Sequence, residues 1–143
     1  MGALFSSTTE LIDIEQTSWI KGHNLALDEN KRQEQLPLLD QFKNGLKLCY
    51  IKNILYGIEY EHWFITDGDT QNDGKILVLE FGGGDITGNT VEVHYKTVRD
   101  YIIDEDFNMN EEIKARMKKV LGATNYSLAL RNCEHVARYT YTY

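Results

Sequence analysis

The chain has 143 residues, 42% of them hydrophobic and 26% charged, with a single proline and 11 glycines. That is the size and balance of one globular domain able to bury its own core, and it argues against disorder, collagen and coiled coil. Fifteen basic against 22 acidic residues leave a net charge of -7, a poor match for a phosphate backbone, so no nucleic-acid partner is expected.

Residues 1–35 read as an N-terminal extension packing on a domain that occupies residues 36–143. Met1-Gly2-Ala3-Leu4-Phe5-Ser6 fits a short N-myristoylation pattern, one that also arises by chance. Leu11, Ile12, Ile14, Trp19, Ile20, Leu25 and Leu27 suit one or two strands lying on the domain, and the polar stretch Asp28 to Gln35 suits a solvated loop or helix end. Pro37, the apolar Leu38, Leu39 and Phe42, and then Gly45 suit one short helix.

Short β-like runs follow. Leu46 to Ile51 and Ile58 to Thr66 are the first two. A turn-rich segment from Asp67 to Gly74 leads into Lys75 to Phe81, and Thr90 to Tyr95 alternates as a further strand. Antiparallel pairing is expected. Gly82-Gly83-Gly84-Asp85 lacks the Gly-Lys-Ser/Thr ending of a phosphate-binding loop. The C-terminal third changes period. Asn108 with Glu111 resembles a capping box, Ile113, Met117, Val120 and Leu121 share one helical face, and Gly122 ends that helix. A last short helix starts near Asn132. Strands first and helices mainly after them predict an α+β fold.

Charge is uneven: residues 108–143 carry six Lys or Arg against three Asp or Glu. A solvated helix face accounts for this, and a basic surface facing an anionic membrane is the alternative. The sequence has no apolar run of about 18 residues, no cleavable leader and only two cysteines. A cytoplasmic setting with free thiols and no transmembrane segment is therefore expected, with peripheral membrane contact left open.

Two residues stand out for chemistry. Cys133 lies at an expected helix N-terminus, where unpaired N–H groups favour a thiolate; a small buried apolar residue is the other reading of a free cysteine. His62, on a strand, is suited to take a proton from a thiol on a neighbouring helix, or else is a half-buried histidine without that task. His23 and His94 are weaker candidates, the latter on a possible edge strand. His135, two residues from Cys133 on a helix, points to a different side. No cysteine and histidine spacing suggests a metal site, and no cofactor is expected.

Tyr126-Ser127-Leu128 followed by Asn132-Cys133-Glu134-His135-Val136 resembles the NC motif of the lecithin:retinol acyltransferase-like (LRAT-like) proteins. Tyr60-Glu61-His62-Trp63-Phe64-Ile65, with the turn through Gly68 and the strand ending in Leu79-Glu80-Phe81, resembles that family's H-box. The order of the two boxes and the strand before the first, Leu46 to Lys52, also agree, over about residues 40 to 140. The resemblance implies a circularly permuted papain-like fold of the NlpC/P60 kind, a small antiparallel sheet packed against helices. It implies that Cys133 attacks an ester carbonyl, that His62 serves as base and then acid, and that an acyl-thioester forms. Tyr60 matches a tyrosine near the family's site and Asn132 precedes the nucleophile, which gives both a supporting role at the oxyanion. Glu80 stands where many members have a second histidine, and as a carboxylate it is suited to orient His62. Val136 replaces the usual phenylalanine, and the hydrophobic C-terminal anchor of many members is not seen before Tyr143.

The leading expectation is a thiol-dependent acyltransferase or phospholipase acting on a phospholipid or other acyl ester. The alternative is a non-enzymatic interaction protein of the same fold, like the H-box/NC 2A proteins of some picornaviruses, working through a protein partner. A cysteine peptidase or amidase with the same dyad is the third.

Overall fold

A computed structural model of the chain describes residues 27–82, 90–124 and 133–142. The expected strands of the first 26 residues, the Met1–Ser6 pattern, Gly83–Asp85, Tyr126–Leu128 and Asn132 lie outside the described residues. The rest is α+β. Helix α1 (Glu29–Gln35) runs into a 3-10 turn (Leu36–Gln41), followed by β1 (Gly45–Leu55), β2 (Ile58–Thr66), β3 (Ile76–Gly82), β4 (Thr90–Lys96) and β5 (Ile102–Asn108), then α2 (Glu111–Val120) and α3 (Cys133–Thr142). The strands form one antiparallel sheet in the order β4-β3-β2-β1-β5.

β2 pairs with β1 along its whole length, from Lys47 opposite Thr66 to Leu55 opposite Ile58. Tyr56 and Gly57 alone join them, both at positive φ (51° and 78°), which is the mirror-image two-residue turn whose twist matches paired strands. The turn carries β1 past the Lys52 at which the sequence motif ended. Beyond Tyr50 the ribbon has no β5 beside it, and Ile54, Tyr56 and Ile58 are exposed.

β5 has no counterpart among the expected strands. Its Ile102-Ile103-Asp104-Glu105-Asp106 is mostly exposed, so it lacks the apolar alternation that marks a half-buried strand. It forms because β1 offers a free edge at Gly45–Tyr50, and its acidic side chains blunt the new edge. β4 and β5 are opposite edges of the sheet. Four strand spacings are about 19 Å on the flat, while the link from Lys96 to Ile102 reaches about 20 Å. Since the link must also climb along the strands, the sheet curls.

Period-2 alternation sorts the sheet into two faces. Leu46, Leu48, Trp63, Ile65, Leu77, Leu79, Phe81, Val91 and Val93 meet Ile113, Met117, Val120 and Leu121 from α2 and Val136, Ala137 and Tyr139 from α3. On the reverse face Cys49, Phe64, Ile76 and Val78 are covered by Val98 and Tyr101 from the β4–β5 link.

Three local expectations change. Asp28 to Gln35, expected as a solvated loop or helix end, holds a whole helix: Asp28 caps it through Lys31 N–H (3.0 Å), and Gln35 is buried, its Oε1 accepting Val93 N–H (2.8 Å). The segment at Pro37 is a 3-10 turn with the proline at its start. The cap of α2 is Asn110, whose Oδ1 accepts Ile113 N–H at 2.8 Å, and not Asn108, which ends β5. Gly122 does end α2, at φ 84°. No helix among the described residues is long and apolar enough to cross a membrane.

Candidate active site

β2 meets β3 through two pairs, Ile65 with Leu79 and Thr66 with Val78. Below that point β2 is without its neighbour, and the first residue of α3 takes the place of a strand. Trp63 N–H donates to Cys133 Sγ at 3.3 Å, and the thiol lies 3.6 Å from the Glu61 carbonyl oxygen. Helix α3 is held there by its apolar face. Arg138 adds a cation–π contact, its guanidinium 4.6 Å from the Trp63 ring centre, while its Nε donates to Glu134 at 2.7 Å. Cys133 is therefore both a buried core residue, 7% exposed, and a thiol at a helix N-terminus.

His62 points to the face opposite Trp63, its ring 6.2 Å from that of Phe64. Glu80 shares that face with Val78. His62 Nε2 is 2.6 Å from Glu80 Oε1, and Cys133 is near enough to add to the ring's hold on a proton. With Nε2 engaged by the carboxylate, Nδ1 is the nitrogen left for the thiol. The strand, the helix and the next strand thus bring together Cys133, His62 and Glu80, residues 62 and 133 being far apart in sequence.

The electrostatics favour charge on both partners of the second link. Burial opposes a charged His62, but the hydrogen bonds and charges of Cys133 and Glu80 outweigh it and lift the imidazole to about 9. Burial likewise opposes an ionised Glu80, but hydrogen bonds from His62 and His94, with the charges of His62 and Lys96, hold its carboxyl well below the usual carboxylate range. An imidazolium beside sulfur favours thiolate, the form in which cysteine is a nucleophile.

His94, a weaker candidate from sequence, belongs to this cluster. It lies on the edge strand β4, as expected, yet its Nε2 is 2.5 Å from Glu80 Oε2. Lys96 Nζ is 3.1 Å from both Glu80 oxygens. The sequence signal is the alternation of Glu92, His94 and Lys96 against Val91, Val93 and Tyr95, but only the register with β3, Glu80 opposite Glu92, aims that polar row at Glu80.

Tyr60 shares the His62 face and is 42% exposed, with its backbone opposite Asn53. Asn132 and His23 lie outside the described residues, as does the His135 side chain. Cys49 is a free, fully buried thiol on the sheet's reverse face, and burial pushes it up to about 12. No group of side chains suited to a metal ion occurs among the described residues. A surface cleft of about 350 Å3 is lined by Asp40, Lys43, Asp67, Gln71 and Tyr95 among others, and includes none of Cys133, His62 and Glu80. Comparison with protein-family models, curated proteins and solved structures finds no match to this chain.

Proposed function

We propose that this chain is a thiol-dependent acyltransferase or phospholipase of the LRAT-like kind, on a circularly permuted papain-like (NlpC/P60) fold, acting on a phospholipid or other acyl ester. The observation that carries the reading is the chain of contacts from Cys133 through His62 to Glu80, with the imidazole lifted to about 9. Cys133 Sγ attacks the ester carbonyl carbon. The developing oxyanion takes a hydrogen bond from backbone N–H groups at the start of α3, which have no partner within the helix. Tyr60, on the His62 face, and Asn132 are the supporting side chains. His62 delivers its proton to the leaving alcohol, and an acyl-thioester remains. Water, or an acceptor amine or alcohol, then attacks this thioester. His62 removes the incoming proton and the thiolate leaves. Glu80 stays ionised and keeps the ring oriented.

A lipid ester is favoured over a peptide bond by the β1–β2 ribbon that carries His62. Ile54, Tyr56 and Ile58 are 70% or more exposed at its end, apolar and aromatic side chains of the sort that settle at a bilayer surface.

The test is intact-mass spectrometry after incubation with phosphatidylcholine vesicles, beside Cys133→Ala. The expected result is a fatty-acyl increment on the native chain that is absent from the variant. The absence of both the increment and any released lysolipid would overturn the lipid-ester reading. The low exposure of Cys133 favours a second reading, a non-enzymatic interaction protein, and that outcome would select it.

A further inference from the structure

Glu80 is 2% exposed, and among the described residues its four close polar contacts come from side chains: His62 on Oε1, His94 on Oε2, and Lys96 on both. An ionised carboxylate only accepts hydrogen bonds. Both imidazoles must therefore present Nε2–H to it. For His62 this places the lone pair of the neutral ring on Nδ1, the side of the thiol, where it can receive a proton. His94 is itself flanked, its Nδ1 3.3 Å from Glu92 Oε1, and Glu92 Oε2 is 3.3 Å from Lys31 Nζ on α1. The charged and titratable groups around His94 are thus Glu80 on β3, Glu92 and Lys96 on β4, and Lys31 behind Glu92.

Without the His94 donor, Oε2 would face a buried setting with Lys96 alone. A buried carboxyl short of donors takes up a proton. A protonated Glu80 would donate to His62 Nε2, move the ring hydrogen to Nδ1 and turn an N–H, not a lone pair, toward Cys133. We propose that His94, aided by Lys96, is a positioning residue for the Cys133–His62 pair. It keeps Glu80 as an acceptor and so sets the tautomer of His62. The proposal rests on the reading of that pair as the reactive centre.

The experiment follows iodoacetamide alkylation of Cys133 from pH 5 to 9 by peptide mass in the full chain. The wild type is compared with His94→Ala, His94→Gln, Lys96→Met, Glu80→Gln and His62→Ala. In the wild type Cys133 is expected to alkylate faster near neutral pH than the fully buried Cys49. His94→Ala displaces the profile by about one pH unit upward, which lowers the rate at pH 6 by about tenfold. His94→Gln, which retains an N–H donor, restores most of the rate. A merely structural role for His94 would leave the profile unmoved. A folded His94→Ala variant whose profile superposes on the wild type overturns the proposal. If Glu80→Gln and His62→Ala displace the profile while His94→Ala does not, the proposal alone fails. If none of the three displaces it, the reactive-pair reading fails and the proposal falls with it. Should His94→Ala not fold, Lys96→Met, at a side chain 37% exposed, decides in its place: its profile moves in the same direction, or the proposal is wrong.

Discussion

At Glu80 a carboxylate almost out of water meets His62, His94 and Lys96, so its ionisation and the shape of the site depend on one another. Its carboxyl titrates lower in the fold than the 4.5 of an unperturbed glutamate. A lowered folded value stabilises above the unfolded value and is lost as pH falls. The wild type should therefore lose stability from about pH 5 downward. Glu80→Gln should cost about 3 kcal/mol at pH 7, because it removes the buried charge that His62, His94 and Lys96 share, and the gap between the two proteins should close toward pH 2. Denaturant midpoints measured across that range check this; a gap that stays constant with pH would show that Glu80 contributes packing rather than charge. Cys49 and Cys133 make a second contrast at this scale. Both are buried, but among the described residues Cys133 Sγ accepts a backbone N–H and stands near the His62 imidazole, which it helps keep charged.

Among the elements, α1 shows how a polar segment becomes structural. Asp28 N–H donates to the Gly122 carbonyl at 2.8 Å, and Arg32 Nη1 donates to the carbonyls of Lys118 and, at 2.8 Å, Leu121. A guanidinium thus closes the C-terminus of α2, where the helix carbonyls and dipole favour a cation. Gly122 turns the chain between them at φ 84°, and a Cβ there would collide with Arg32 Cγ and lie 2.9 Å from Asp28 O. Gly122→Ala should therefore destabilise the fold by about 2 kcal/mol, from the left-handed backbone and the lost approach together. Thermal unfolding measures this, and a neutral result would separate α1 from the stability of the domain. The β1–β2 turn carries a related strain, since Tyr56 occupies a left-handed position that Asn or Gly adopts at less cost.

For the whole molecule, the fold sets Cys133, the first residue of α3, against β2 and sends the β1–β2 ribbon outward to an apolar end. If that end meets lipid, Ile54→Asp with Ile58→Asp should lower sedimentation with phosphatidylcholine vesicles severalfold. The same variant should leave the pH profile of Cys133 alkylation unchanged. Equal sedimentation of variant and wild type would remove the ribbon from the lipid contact. Both substitutions are at side chains 70% or more exposed, so the fold should tolerate them.

Much of this arrangement is legible in the residues themselves. The apolar runs of β2 and β3, the helical spacing of Ile113, Met117, Val120 and Leu121, and the punctuation by Pro37 and Gly122 are local signals, written in side-chain period and backbone preference. Cys133, His62 and Glu80 can be named because they stand in recognisable segments. Other features have no local signal. The mostly exposed β5 exists because β1 has an edge to pair, and the helix from Glu29 to Gln35 is polar because its partners are backbone groups of β4 and α2. His94 acts through register, a property of two strands at once. Local sequence determined β1 to β4, α2 and α3 and made Cys133 the candidate nucleophile. Tertiary structure decided what surrounds Glu80, because that carboxylate on β3 takes its neighbours from β2 and β4, and no single stretch of chain contains them.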